Sequence, residues 1–214
     1  MPVTLEAVAL AKSYGGRPVF DGLSLEVTRG LLAVSGSNGS GKTTLLKILA
    51  SLLRPDSGTV RVLADGRELD GNSRRRSVGW AGPDLAFYDE LTAAENLAFF
   101  RRAGGAPEDD PAISRRIGAV GLEDAARLTV GAFSTGMKQR LRIAFATLFD
   151  PDVILLDEPM TGLDAPGRRL VAGIVAERRE RGAVVVASND PRDLESADRI
   201  VALPGSGPAA GEPL

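Results

Sequence analysis

The sequence predicts an α/β fold built on a mostly parallel sheet with covering helices, and three observations carry that expectation. VILLD (153–157) is a continuous apolar run, as strands buried on both faces are. LLAVSG (31–36) is a short apolar strand that runs straight into glycine. Stretches with helical apolar spacing separate the strands, and parallel neighbours need such crossovers.

Taken in order, residues 3–10 and 18–27 read as strands joined by the Gly-Gly turn of AKSYGGRPVF, an N-terminal antiparallel β subdomain. After LLAVSG, the segment TTLLKILASLL (43–53) has helical spacing. RPDSG is a turn, and GTVRVLADG is the strand that follows it. The basic run RRR at 74–76 reads as a solvated turn. TAAENLAFFRR (92–102) opens with a Thr-x-x-Glu capping box and predicts a helix. AGGAPEDDP (103–111) is a loop, AISRRIGAVGL a second helix, and a third runs from about 136 to 149. These helices form an insert near 84–150. Strand 153–157, a helix over 165–181, the strand AVVVAS, a short helix near 191–196 and the strand RIVAL complete one domain over 1–203. The Pro/Gly-rich tail, 204–214, is expected to be disordered. No internal repeat is visible.

Composition narrows the function classes. Hydrophobic content of 43% and charged content of 25% are ordinary globular values. A net charge of −2 argues against a general nucleic-acid binder, which would present a basic surface. With no cysteine, disulfides and cysteine metal sites are excluded and a cytosolic location fits. The N-terminus lacks a signal-peptide core, and no window approaches the ~18 apolar residues of a membrane span. Any membrane role would come through a partner.

GSNGSGKT (36–43) fits G-x-x-x-x-G-K-[ST] between a predicted strand and a predicted helix, the context this motif requires. Gly36, Ser37, Asn38, Gly39, Ser40 and Gly41 are small enough for successive backbone N–H groups to turn toward phosphate oxygens. Lys42 supplies a point charge for the β- and γ-phosphates, and Thr43, followed by Thr44, offers a hydroxyl to Mg²⁺. The following helix points its positive end at the anion. A plain Gly-rich turn is the alternative, and the strand and helix context weighs against it.

VILLDEP places Asp157 and Glu158 at the end of a buried strand. Asp157 there can hold Mg²⁺, and Glu158 can accept a proton from an attacking water. Two solvated acids before a proline turn would look the same in isolation. FSTGMKQR (133–140) is a turn opening a helix, with Ser134 as cap and Gly136 allowing close approach of a phosphate; an ordinary capped helix is the other reading. VVVASNDP (184–191) is a third apolar run that ends at small polar residues.

With these pieces in order, residues 3–203 resemble the ATP-binding subunits of ABC transporters. Walker A is GSNGSGKTT, the signature is FSTGMKQR, Walker B is VILLDEP, the D-loop is TGLD with Asp164, and Tyr14 stands where the family has its adenine-stacking aromatic. The resemblance implies a P-loop NTPase (RecA-like) core with a helical signature subdomain, binding ATP and Mg²⁺. It implies a head-to-tail dimer with a second copy or a related subunit, in which Ser134, Thr135 and Gly136 meet the ATP held by the partner. It also implies an integral membrane partner and a peripheral place on the cytoplasmic face of the membrane. FYDELTAAENLAFFRR and DPDVILLDEPMTGLDAPGRRL are similar to the ATPase of the bacterial haem exporter of cytochrome c maturation. Drug and ABC-2-type exporters share STGMKQR.

The chain departs from the family in three places. The switch histidine is replaced by Asn189, in a chain with no histidine at all. The family's glutamine belongs at 83 or 84, where Pro83 and Asp84 stand; Asp84 can reach Mg²⁺ through water. Thr135 replaces the signature's first glycine. An amide still donates a hydrogen bond but cannot be protonated, so slower hydrolysis, or an ATP-binding switch with little hydrolysis, are both expected possibilities. Soluble two-cassette proteins and P-loop kinases are competing classes; the former carry a second cassette or a coiled coil, the latter no STGMKQR.

Overall fold

The computed structural model describes residues 3–107 and 109–203; the tail expected to be disordered lies outside them. The first layer is antiparallel. β1 (Val3–Tyr14) and β2 (Arg17–Val27) form a hairpin, the chain crosses to the second sheet as β3 (Gly30–Ser35), and α1 (Lys42–Leu49) returns it. β4 (Ser57–Ala64) and the two-residue β5 (Arg67–Glu68) complete the order β2-β1-β4-β5.

The second sheet holds the core. After α2 (Gly71–Ser77) come β6 (Val78–Ala81), the insert helices α3 (Ala93–Ala103), α4 (Asp110–Ala119) and α5 (Thr135–Ala146), and then β7 (Val153–Asp157). α6 (Ala165–Arg179), β8 (Ala183–Ser188), α7 (Pro191–Leu194) and β9 (Arg199–Ala202) follow. The strand order is β6-β7-β8-β3-β9, with every pairing parallel.

Alternation along these strands divides the core in two. Leu32, Val34, Val153, Leu155, Val185 and Ala187 face α1 and the antiparallel sheet, meeting Leu45, Leu49, Leu5 and Val62. Leu31, Ile154, Leu156, Val184 and Val186 face α5, α6 and the insert, meeting Leu141, Ile143, Val171, Leu97 and Ile113. Every residue of β7 and β8 is buried, as their unbroken apolar runs predict. At roughly 1.5–3 kcal/mol per fully buried aliphatic side chain, this double-sided burial is the main force holding the sheet.

Three elements differ from the sequence expectation, the unanticipated two-residue β5 among them. RRR at 74–76 lies in α2 rather than a turn, because Asp70 caps that helix: its carboxylate accepts from Ser73 N at 2.9 Å. The arginines occupy its last turn, where cations complement the helix dipole. β6 is a strand that the sequence reading did not anticipate; it is four residues long, and Gly79 brings it against α5. A Cβ there would lie 1.9 Å from Ala146 O.

Candidate active site

β3, β7 and β8 end level with one another: Ser35 pairs with Ser188, and Asp157 with Ala187. Their carboxyl ends open the crevice where parallel α/β sheets meet their ligands. Loop 36–41 fills one side of it and leads into α1. Gly41 is in the left-handed region (φ 97°), and a Cβ there would come 2.1 Å from Val19 Cγ1. One on Gly36 would come 2.4 Å from Ser40 Oγ. The loop therefore tolerates no larger side chain at either place, and its backbone is left to face a ligand.

Lys42 is 6% exposed and curls back over this loop. Its Nζ donates to Gly36 O (2.8 Å) and Ser37 O (3.2 Å) and stands 3.9 Å from Glu158 Oε1. Thr43 Oγ1 donates to Asp157 Oδ2 at 2.6 Å. Asp157 Oδ1 and Ser40 Oγ are buried with no hydrogen-bond partner among the described residues. A hydroxyl beside a buried carboxylate with an unused oxygen is a donor set suited to Mg²⁺, which takes one or two protein oxygens plus water and phosphate. Among the described residues no group of three or more His, Cys, Asp or Glu side chains converges as metal ligands would. The residues fit a magnesium ion shared with a phosphate.

Burial raises the Asp157 carboxyl above its ordinary pKa, against the Thr43 hydrogen bond and the Lys42 charge, which favour ionisation. Burial raises Glu158 as well, opposed first by Lys42. Glu158 sits at φ 48°, a strained backbone for a residue with a side chain, and its N–H donates to Ala187 O at 2.8 Å. The Asn189 N–H donates to Glu158 Oε1 at 3.1 Å, and Asn189 Nδ2 donates to Asn38 Oδ1 at 2.9 Å. The residue in the switch position thus bridges Glu158 and the phosphate loop.

The other expected residues sit around this centre. Asp84 is half-exposed, paired with Lys47 Nζ at 2.8 Å, and its charge acts on Asp157. Tyr14 ends β1 with its ring exposed and Lys12 Nζ 5.5 Å from the ring centre. Ser134 caps α5, accepting from Met137 N at 3.2 Å, and Gly136 abuts the carbonyl of Gly162. Asp164 caps α6, accepting from Gly167 N at 2.8 Å.

Sequence reasoning missed Gln139 and Arg142 on α5. Gln139 Nε2 donates to Glu158 O and Pro159 O, at 3.2 and 3.1 Å. Arg142 donates to Pro83 O and Leu85 O, at 3.1 and 3.2 Å, and to Gln139 Oε1 at 3.0 Å. The helix that opens with Ser134 is thereby tied both to the Glu158 turn and to the 83–85 loop. A glutamine and an arginine at helical spacing gave no motif to signal it.

Residues 20–161 match the family described as ABC transporter. An uncharacterized ABC transporter ATP-binding protein of Bacillus subtilis (strain 168) is 36% identical over 93% of this chain and 67% of its own length. The cytochrome c biogenesis ATP-binding export protein of Rhodopseudomonas palustris (strain BisB5) is 39% identical over 81% of this chain and 85% of its own. The daunorubicin/doxorubicin resistance ATP-binding protein of Streptomyces peucetius is 36% identical over 93% of this chain, which spans 62% of that protein's length. Among solved structures, an ATP-binding subunit of an ABC transporter superposes with a TM-score of 0.81 at 28% identity, covering 93% of this chain and 85% of the other. A dimeric bacterial ABC transporter cassette gives 0.80 at 25% identity, covering 93% and 94%.

Proposed function

Because this chain belongs to the ABC transporter family, we propose that it is the ATP-hydrolysing motor of an exporter, working as an ATP-sandwich dimer on a separate membrane subunit. The observation that carries this reading is the convergence of Lys42, Thr43, Asp157, Glu158 and Asn189 at the ends of three adjacent strands. Lys42 and the 36–43 loop bind the β- and γ-phosphates, Tyr14 stacks on adenine, and Thr43 and Asp157 hold Mg²⁺, with Asp84 reaching it through water. Held there by Thr43 and Asp157, Mg²⁺ would supply charge neutralisation at the phosphate oxygens. Glu158 takes a proton from water as the water oxygen bonds the γ-phosphorus and the bond to ADP breaks. Asn189 donates to the γ-phosphate from a position already beside Asn38 and Glu158. Ser134, Thr135 and Gly136 of one copy meet the ATP held by the other, with Asp164 at the turn between them.

No helix among the described residues is long and apolar enough to cross a membrane. The proposed motor acts peripherally on the cytoplasmic face through its partner. Haem is the favoured cargo, supported by the relative named for cytochrome c biogenesis, of which the match covers 85%. Drug export is the alternative, supported by the daunorubicin/doxorubicin resistance relative. Production of c-type cytochromes in a strain lacking its haem-export ATPase, set beside daunorubicin tolerance, separates the two.

Steady-state hydrolysis tests the motor itself. The wild type is expected to exceed Glu158→Gln clearly, and Asn189→Ala to lose about 10²-fold in turnover, the scale of a positioned donor to developing charge. A wild type no faster than Glu158→Gln, with turnover appearing in Asn189→His, would make the chain an ATP-binding switch instead.

A further inference from the structure

Behind Glu158 lies a second polar chain that the reaction as described does not use. Ser188 ends β8 and is fully buried. Its Oγ has three polar neighbours: the Asp190 N–H donates to it at 3.1 Å, Asp193 Oδ2 is 2.9 Å away, and Glu158 Oε2 is 3.4 Å away. A hydroxyl has one proton and two lone pairs. With Asp190 N–H taking a lone pair, the single proton can go to Asp193 or to Glu158, but not to both.

The arrangement favours Asp193. Its side chain is 7% exposed, and Arg168, on the helix that follows the 161–164 turn, donates to its Oδ1 at 3.1 Å. Arg168 Nη2 also stands 3.6 Å from Asp190 Oδ2, whose charge is further met by Arg192 at 2.6 Å. A buried carboxylate paired with an arginine is a strong, short-range acceptor. Glu158 is the more distant acceptor and already receives the Asn189 N–H on its other oxygen.

We propose that Arg168 and Asp193 are positioning residues that hold the Ser188 hydroxyl proton away from Glu158, so that Glu158 Oε2 is left open to accept from the attacking water. This rests on the ATPase reading above and adds to it the residues that keep the base available. Arg168 lies in the first turn of the helix that Asp164 caps, its N–H donating to Asp164 O at 2.9 Å, so the base is coupled to the turn that faces the second copy in the sandwich dimer.

Asp193→Asn makes the test nearly isosteric. Arg168 requires an acceptor, so the new amide presents its oxygen to Arg168 and its N–H to Ser188 Oγ. Both Ser188 lone pairs are then filled, and its proton turns to Glu158. In a crystal structure of that variant, Ser188 Oγ to Glu158 Oε2 is expected to shorten from 3.4 Å to about 2.7 Å, a full O–H···O bond. Hydrolysis is expected to fall at least about tenfold, part of the 10²–10⁴ that a general base supplies, while the affinity for a fluorescent ATP analogue stays within about twofold. Adding Ser188→Ala to Asp193→Asn removes the intruding hydroxyl and is expected to recover most of the lost turnover, a non-additive result that a merely structural role does not produce. Asp193→Ala, which also frees the hydroxyl, repeats the distance measurement should the amide variant fold poorly.

An unchanged 3.4 Å separation, or a double variant no faster than Asp193→Asn, overturns the proposal. Wild-type turnover above the Glu158→Gln blank tests the ATPase reading separately. If that turnover is absent, the Ser188–Glu158 distance alone decides.

Discussion

Asp157 is the residue at which folding and ligand binding conflict most directly. Its carboxyl is buried, one oxygen has no partner among the described residues, and burial holds its pKa above the ordinary value. A carboxyl with a raised folded pKa binds more protons in the folded than in the unfolded chain just above its ordinary titration range. The folded state therefore loses stability as pH rises from the ordinary carboxyl range through the raised folded pKa. Glu158 is shifted the same way by burial. Asp157→Asn keeps an acceptor for Thr43 and removes the charge. Scanning calorimetry of the ligand-free variant at pH 7.5 is expected to show a Tm a few degrees above wild type, with the gap closing toward pH 4. The additional Tm rise that Mg²⁺ gives with ATP is expected to vanish. An unchanged or lower Tm would mean that the charge is not a cost to the folded chain. At this scale the sequence was most legible where chemistry is local: Lys42 and Thr43 are adjacent, and Asp157 and Glu158 end one apolar run. It was silent where partners come from distant charged segments. Arg168 and Asp193 lie 25 residues apart, in APGRRL and PRDLES, each of which reads as ordinary solvated surface until α6 and α7 bring them together.

At the scale of elements, periodicity located what burial on two faces or a cap enforces. β7, β8, α3 and α6 stand where their patterns place them, and the Thr92–Glu95 capping box is complete, with Thr92 N donating to Glu95 at 2.7 Å. α2 and β6 were missed for physical reasons. α2 buries no residue completely and is started by a cap rather than by an apolar stripe. β6 is too short for a pattern, and its place depends on Gly79 admitting the carbonyl of Ala146. Gly79→Ala would force β6 and α5 apart at a backbone atom that no rotamer can move. Such overpacking is expected to cost about 3 kcal/mol, a Tm loss of roughly 6–12 °C for a chain of this size. Because α5 carries Arg142 and Gln139, the same change is expected to reduce turnover in the molecules that remain folded. Urea denaturation beside a hydrolysis assay checks both. Ser134→Ala loses a side-chain cap and is expected to cost about 1 kcal/mol with no ligand present, which denaturation of the ligand-free chain reads directly.

At the scale of the molecule, the proposed sandwich dimer gives each chain two halves of an anion site, one at the strand ends and one at the start of α5. The phosphate loop, Thr43 and Glu158 surround the strand ends, while Ser134 and Gly136 open α5 from an outer surface against the carbonyl of Gly162. A helix start with small residues favours a phosphate, and a head-to-tail pair would bring one to each. Glu158→Gln is expected to prevent turnover and leave the binding loop whole, so with Mg²⁺ and ATP it is expected to elute as a dimer in gel filtration and as a monomer without nucleotide. Ser134→Arg in that background places a long cation where the facing loop must close, and is expected to remain monomeric. It does not touch the Lys42 loop, so ATP at about 100 times its dissociation constant should still stabilise the fold by about 2.7 kcal/mol, a Tm rise of roughly 5–11 °C. The combination separates binding from assembly. A monomer that keeps its thermal shift places Ser134 in the dimer contact, whereas a dimer that survives Ser134→Arg means the two halves of the site do not meet through α5. Loss of the thermal shift in Ser134→Arg would instead show that the variant has damaged the nucleotide site within one chain.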